Sequence, residues 1–360
     1  MKEYYSSADF IKSPKFDAHI HYHTFDDLFI RKATKANLNL LTINTDFDYL
    51  SINKQFEIGQ SLHKEYPESF NFLGTFDASA FASKTFAEDS IRQIKKCIEA
   101  GAGGIKIWKN MGMALKNEAG QYVMADDPVF DPIFAFLEKE KIPLLAHLGE
   151  PRNCWLPVEQ MTTIIDREYF NQHPDFHMYL HPEAPSYEQH IMVRDRLSER
   201  YPDLVFVGAH LGSMEWSLEE VSKRMERFSN FYTDISVKFE HFFEQVIRNR
   251  NDVIDFFQTY QNRILYASDY FVEPVNNRKW MKPFCKYFPK TYMNLLFRNY
   301  LHFVEKQWLF FATDEMISTG GMINNESNKK IRGLKLPKKL VDRIFYENAR
   351  CVYLKQNSND

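Results

Sequence analysis

Eight β-type segments alternate with helical segments along the chain, and this alternation predicts an α/β protein folded as a (β/α)8 TIM barrel. Strict alternation calls for parallel strands joined by helical crossovers, and eight strands favour closure over an open doubly wound sheet. The length agrees. With 360 residues and 44% hydrophobic content the chain can bury one large core. Barrels of about 250 residues also accept long insertions. A single domain over 1–360 is therefore expected, with loop insertions after strands five and eight, the latter at about 270–336.

The first strand is Lys15 to His23. Asp17, His19 and His21 recur there at i, i+2, i+4, so regular alternation puts them on one face and Phe16, Ala18 and Ile20 on the other. A strand with metal-ligand residue types on one face and apolar residues on the other is unlike ordinary core. A helix follows from Phe25 to Ala36, then a β-rich run from Leu38 to Asn44 and a helix from Tyr49 to Glu65, stopped near Pro67. Phe70 to Asp77 is the third strand. The helix from Phe86 to Ala100 carries Ile91, Ile94 and Ile98 on one face, with Gly101 as its C-terminal stop.

The alternation continues with a fourth strand at Gly103 to Trp108, a helix at Asp131 to Lys141 and a fifth strand at Ile142 to Gly149. Glu150 to Pro185 is rich in His, Pro and Asn and reads as a non-helical excursion. Helices at Tyr187 to Arg200, Leu218 to Phe228 and Phe242 to Tyr260 separate strands at Leu204 to His210, Phe231 to Ile235 and Arg263 to Asp269. A mixed segment from Tyr270 to Leu336 precedes a final helix at Lys338 to Leu354.

Acidic and basic residues nearly balance, at a net charge of −3, so the composition carries no footprint for nucleic acid or an anionic membrane. The 4 cysteines, at 97, 154, 285 and 351, form no C-x-x-C pair, which argues against a disulfide framework or a structural zinc knuckle. Met1 to Lys15 lacks an apolar h-region, and no apolar run reaches the length of a membrane span. A cytoplasmic protein with a small-molecule partner is the expectation.

In a barrel the active site lies at the C-terminal ends of the strands. His147 ends the fifth strand, His210 the sixth and Asp269 the eighth, and Lys106 sits in the fourth. His19, His21, His147 and Asp269 make an N3O set suited to zinc, iron or manganese. Alternation puts Lys106 and Trp108 on the face opposite Ile105 and Ile107, so Lys106 faces the lumen. A buried lysine there needs an anion, as the anchor of a substrate carboxylate or in a salt bridge. Lys109, Glu150, Arg152, Asn153, Trp155 and Trp216 follow strand ends at the mouth. Arg152 suits a carboxylate by the geometry of its guanidinium. His173, His177, His181 and His190 read as lid or surface residues.

The motifs Asp17-Ala18-His19-Ile20-His21, Leu145-Ala146-His147, Gly208-Ala209-His210-Leu211-Gly212 and Ala267-Ser268-Asp269-Tyr270, with Glu347-Asn348-Ala349-Arg350 near the end, resemble the amidohydrolase superfamily and its amidohydrolase 2 branch. The resemblance spans nearly the whole chain and weakens over the tail insertion and the loop after His147. It implies a distorted barrel and a divalent metal, zinc first, with one or two ions and manganese or iron as alternatives. Carried over, His19, His21, His147 and Asp269 are metal ligands, and Asp269 is also the general acid/base. His210 is a second-metal ligand or polarises the substrate. Lys106 stands about where binuclear members carry a carbamylated lysine. Lys106, Trp108, Arg152 and Trp216 are the candidate substrate-binding residues, and Asp17, deeper in the strand, is an orienting group. The implied reaction is hydrolysis of an amide, ester or lactone in a small carboxylate-bearing molecule by metal-activated water. Non-oxidative decarboxylation of a small unsaturated or aromatic acid is the alternative, and a non-catalytic metal-binding barrel the third reading. A homodimer is left open.

Overall fold

The computed structural model describes residues 3–46, 50–236, 239–274, 289–320 and 330–354. The predicted helix start at Tyr49, Cys285 and the insertion stretches 275–288 and 321–329 lie outside them.

In chain order the elements are β1 (Lys15–Tyr22), α1 (Leu28–Lys35), β2 (Leu38–Ile43), α2 (Ile52–Glu65), β3 (Phe70–Leu73), α3 (Phe86–Glu99), β4 (Ile105–Ile107), α4 (Asp131–Lys139) and β5 (Leu144–Ala146). Then come α5 (Ile164–Gln172), α6 (Tyr187–Arg200), β6 (Phe206–Gly208), α7 (Leu218–Arg227), β7 (Phe231–Asp234), α8 (Phe239–Thr259), β8 (Ile264–Leu265) and β9 (Tyr270–Val272). After them follow α9 (Pro289–Ala312), the hairpin β10 (Met316–Ser318) and β11 (Lys330–Arg332), α10 (Lys338–Asp342), a π-turn (Arg343–Glu347) and α11 (Asn348–Leu354).

The strands form two parallel arcs, β3-β2-β1-β9 and β4-β5-β6-β7-β8. A parallel bridge between Gly74 and Ile105 joins β3 to β4. At the other seam the eighth strand is broken, with β8 pairing with β7 and β9 pairing with β1. Ala18 N–H donates to Tyr266 O (3.1 Å) and Asp269 N–H to His19 O (2.7 Å) across the break. The result is a closed, distorted (β/α)8 barrel. Tyr270–Val272 thus completes the eighth strand and is not the start of the insertion, as the sequence reading had it.

Two apolar shells fill the barrel. Phe16, Ala18, Leu41, Ile43, Leu73, Leu145, Val207 and Leu265 pack inside it, closed below by Ala349, Val352 and Tyr353 of α11. Ile20, Leu40, Phe70, Ile105, Leu144 and Phe206 face the helices. Asn348 ties α11 to the barrel by donating from Nδ2 to Gln261 O and Ile264 O, both at 2.7 Å. The α3 stripe buries Phe86, Ser90, Ile94 and Cys97, and Gly101 follows it at φ +96°, a left-handed position that glycine takes without strain.

Two further expectations need correction. Glu150–Pro185 is not helix-free, because Thr163 caps α5 by accepting from Asp166 N–H. In β1, regular alternation fails. The register with β2 slips between Asp17 and Ile20, so an extra residue enters the strand. Phe16 and Ala18 consequently face the lumen and Ile20 the helices, while Asp17 leaves the face of His19 and His21.

Asp46, just past β2, accepts from Asn110 Nδ2 (2.6 Å) and Ala78 N–H (3.3 Å), and burial pushes its carboxyl up to about 6. A folded pKa above the unfolded one gives stability that is full below about pH 4 and is lost as pH rises through 6. Asp46→Asn keeps an acceptor for Asn110, so it is expected to raise stability at pH 7.5 by about 2 kcal/mol and far less at pH 4. Melting curves at the two pH values check this, and equal shifts at both would refute it.

Candidate metal centre

His19, His21 and Asp269 converge at the seam between β1 and the broken eighth strand. Their donor atoms all lie within 4.8 Å of one another, and theirs is the one such group of His, Cys, Asp or Glu among the described residues. Asp269 Oδ1 stands 3.3 Å from His19 Nε2 and 3.1 Å from His21 Nε2. Two ligands of a tetrahedral ion with bonds of about 2.0–2.1 Å stand about 3.3 Å apart, so the spacing fits a shared divalent cation. Asp269 is held at φ +54°, a left-handed conformation that re-aims its side chain after the strand break.

The tautomer of His19 is set from behind. Its Nδ1 donates to Asp234 Oδ2 at 2.8 Å, which leaves the Nε2 lone pair directed at the group. Asp234 ends β7 and is a hub. Its Oδ1 accepts from His210 N–H (2.8 Å), Ser236 N–H (3.2 Å) and Ser236 Oγ–H (2.6 Å). Burial pushes the Asp234 carboxyl up, but His19, His210 and Ser236 outweigh it and hold the group well below the usual carboxylate range. For Asp269, burial is likewise overcome by His19, His21 and His210. Both stay ionised at neutral pH. Asp234 was missed in the sequence reading, although a carboxylate ending the seventh strand is the same signal that singled out Asp269.

His210 stands over the mouth through an unusual turn. The predicted sixth strand stops at Gly208, and His210, Leu211, Gly212 and Ser213 follow with φ of 55°, 55°, 63° and 60°. A left-handed turn costs roughly 1–2 kcal/mol per L-residue. Hydrogen bonds hold it, from His210 N–H to Asp234, from Ser213 Oγ to Leu148 O (3.1 Å) and from Tyr187 OH to Ser213 O (2.7 Å). The His210 Nδ1 lies 2.8 Å from Ser236 Oγ, whose proton goes to Asp234, so Nδ1 is the donor.

His147 lies outside the three-residue group but adjoins it through His210. Its ring is 4.4 Å from that of His210, which is 5.3 Å from that of His19. His147 Nε2 is buried without a hydrogen-bond partner. Burial, with the neighbouring His210, Lys109 and Lys106, pushes the imidazole well below its ordinary value. It is therefore neutral, the form that ligates metal. Burial also lowers the His21 imidazole, with Asp269 opposing.

Lys106 is fully buried in β4, and its Nζ has no hydrogen-bond partner. Burial lowers its pKa to about 8, against the pull of Asp234 and Asp269. Trp108 is half-buried beneath Lys109, whose Nζ is 5.2 Å from the ring and also pairs with Glu150. Glu150 Oε2 in turn is 3.9 Å from His147 Nε2. Arg152 stacks on Trp216 at 4.3 Å. These two line a groove of about 380 Å³ with Tyr187, Ile191, Met192 and Met214, and no histidine or aspartate of the centre lines it. Of the later histidines, His177 and His190 are buried, and His181 is partly exposed with Nε2 on Pro174 O. His23 is buried with its ring 5.7 Å from that of His21.

A sequence profile of the amidohydrolases, Amidohydro_2, matches residues 75–354. His147, His210 and Asp269 lie inside that span, and His19 and His21 precede it. Among solved structures, a 2,6-dihydroxybenzoate decarboxylase from Rhizobium is similar in fold, with a TM-score of 0.52 at 12% identity over 96% of this chain and 100% of that one. A dihydroxybenzoic acid decarboxylase from Polaromonas sp. JS666, with bound manganese and the inhibitor 2-nitroresorcinol, gives a TM-score of 0.50 at 12% identity, covering 96% and 98%. No curated protein matches the chain in sequence. Among the described residues no helix is long and apolar enough to cross a membrane.

Proposed function

From its membership of the Amidohydro_2 amidohydrolase family, we propose that this chain is a metal-dependent hydrolase of an amide, ester or lactone bond in a small carboxylate-bearing molecule. The observation that carries the reading is the spacing of His19 Nε2, His21 Nε2 and Asp269 Oδ1, that of ligands on one divalent ion. His147, neutral and with an unsatisfied buried nitrogen, is the fourth proposed ligand. A divalent cation there supplies a Lewis acid that polarises a substrate oxygen and makes water more acidic. Zinc, manganese and iron all suit the donor set.

The chain's own residues handle the substrate and the protons. Asp269, ionised at neutral pH, takes the proton of the attacking water and passes it to the leaving group. His210, whose Nδ1–H is given to Ser236 Oγ, carries its lone pair on Nε2, the form that suits the role of a further metal ligand; polarising a substrate carbonyl would require the imidazolium. Lys106, a buried cation in need of an anion, receives the substrate carboxylate, and Trp108 walls the pocket. Arg152 and Trp216 are proposed to meet substrate at the outer rim. Lys106→Met is expected to raise KM for a carboxylate substrate about tenfold or more, with little effect on the corresponding neutral amide. An equal rise for both would remove the anchor role.

A second reading has specific support. Two structures similar over nearly their whole length are decarboxylases of dihydroxybenzoic acids. In that reading Lys106 holds the aromatic ring's acid function, and Asp269 first takes a proton from a water molecule and then passes it to the ring carbon as carbon dioxide leaves, the hydroxide ending as bicarbonate. Metal analysis, followed by incubation of the loaded protein with lactone, ester and hydroxybenzoate panels, tests both. Hydrolysis without gas evolution supports the first reading, and carbon dioxide release from an aromatic acid would establish the second. Protein that takes up neither zinc nor manganese would overturn both.

A further inference from the structure

Asp17 is fully buried yet does not face the metal centre. The bulge in β1 turns it outward, and its two oxygens do separate work. Oδ1 accepts from Ser268 N–H at 2.9 Å and His19 N–H at 3.3 Å. Oδ2 accepts from Tyr300 OH at 2.7 Å. His19 is a proposed ligand and Ser268 immediately precedes another, Asp269. One carboxylate therefore grips the backbone of both strands that carry the centre, across the seam where the eighth strand is broken.

That seam needs a brace. Asp269 holds a left-handed conformation, which persists where the surroundings over-determine it. Its N–H reaches His19 O at 2.7 Å, and the next residue donates from Tyr270 N–H to Ser268 Oγ at 3.1 Å. The outer support comes from α9, which follows the eighth strand and packs against α1. Tyr300 on α9 is fully buried, with its ring 5.0 Å from both Phe29 and Tyr270. A second fully buried tyrosine, Tyr266, also reaches α9, but its hydroxyl donates to Gln307 Oε1 at 2.7 Å and bypasses Asp17.

We infer that Asp17 and Tyr300 are positioning residues for the metal centre: the Tyr300 hydroxyl, through the Asp17 carboxylate, sets the spacing of His19 and Asp269, so that helix α9 supports cation binding. The inference rests on the metal reading above. Outer partners of ligands commonly change metal affinity 10- to 100-fold, and this pair acts on two ligands at once.

The test compares Tyr300→Phe with Tyr266→Phe, each of which removes one buried hydroxyl bonded at 2.7 Å. The chelator-treated full chain is titrated with Zn2+ and Mn2+ by calorimetry. Tyr300→Phe is expected to weaken the dissociation constant about tenfold or more, while Tyr266→Phe, with a similar loss of melting temperature, binds like the unsubstituted chain. Loaded with Co2+, Tyr300→Phe is expected to show a shifted visible absorption band and Tyr266→Phe an unshifted one. Asp17→Asn, which keeps an acceptor oxygen, serves as the second variant and is expected to weaken binding as well. Unchanged affinity and spectrum in Tyr300→Phe would overturn the inference while leaving the metal reading intact. Equal losses in both tyrosine variants would overturn it too, because docking of α9 in general would then be responsible. Failure of the unsubstituted chain to bind any of the three ions would overturn the metal reading and the inference together.

Discussion

Asp269→Asn is expected to retain the bound metal and to lose turnover by about 100- to 10,000-fold, the usual contribution of positioned proton transfer. The asparagine keeps a carbonyl oxygen where Oδ1 now stands, 3.3 Å from His19 Nε2 and 3.1 Å from His21 Nε2. It cannot accept a proton and give it back. The left-handed backbone at this position is also tolerated by asparagine better than by most residues. Metal stoichiometry and single-turnover rates measured together separate the roles. If the metal leaves with the carboxylate, ligation is the dominant role of Asp269. If turnover survives, its part in proton transfer is refuted. His19→Ala is the companion, expected to lose the metal outright.

Asp234→Asn is expected to weaken metal binding by about 10- to 100-fold without removing any ligand. The His19 Nδ1 proton now goes to Asp234 Oδ2 at 2.8 Å, so Nε2 carries the lone pair. An asparagine can turn its amide N–H2 toward Nδ1 and favour the other tautomer, which places a proton where the cation belongs. The same substitution disturbs the acceptor for His210 N–H and for Ser236, the bonds that hold the left-handed turn after β6. Competition against a chelator of known affinity reads the effect. Wild-type affinity in this variant would show that the tautomer of His19 is set elsewhere.

Much of this architecture was legible in the sequence because it depends on local chemistry. Hydrophobic runs bounded by helical stretches marked the strands, and Gly101 marked the end of α3. The ligand-type residues at strand ends carried the amidohydrolase resemblance, and the barrel explains why residues as distant as His19 and Asp269 meet. Element boundaries are less legible. The sequence predicts a sixth strand running to His210, whereas Gly208 ends it, because a run of residues at positive φ is stabilised by Asp234, Leu148 and Tyr187 from other parts of the chain. The expectation of a helix-free excursion fails at α5, because the His, Pro and Asn of the surrounding stretch mask a short segment that Thr163 caps.

The residue types at the strand ends, and with them the barrel, the family and a candidate set of nitrogen and oxygen donors for a divalent metal, are readable from the sequence. The tertiary structure alone decided which of them meet. One extra residue in β1 reversed the side-chain alternation, sending Asp17 outward to Ser268 and Tyr300 and leaving His19 and His21 in the lumen. The break between β8 and β9 brought Asp269 to those two histidines, and β7 placed Asp234 behind His19. Register and strand breaks are set by contacts across the whole barrel, so no local stretch of sequence encodes them.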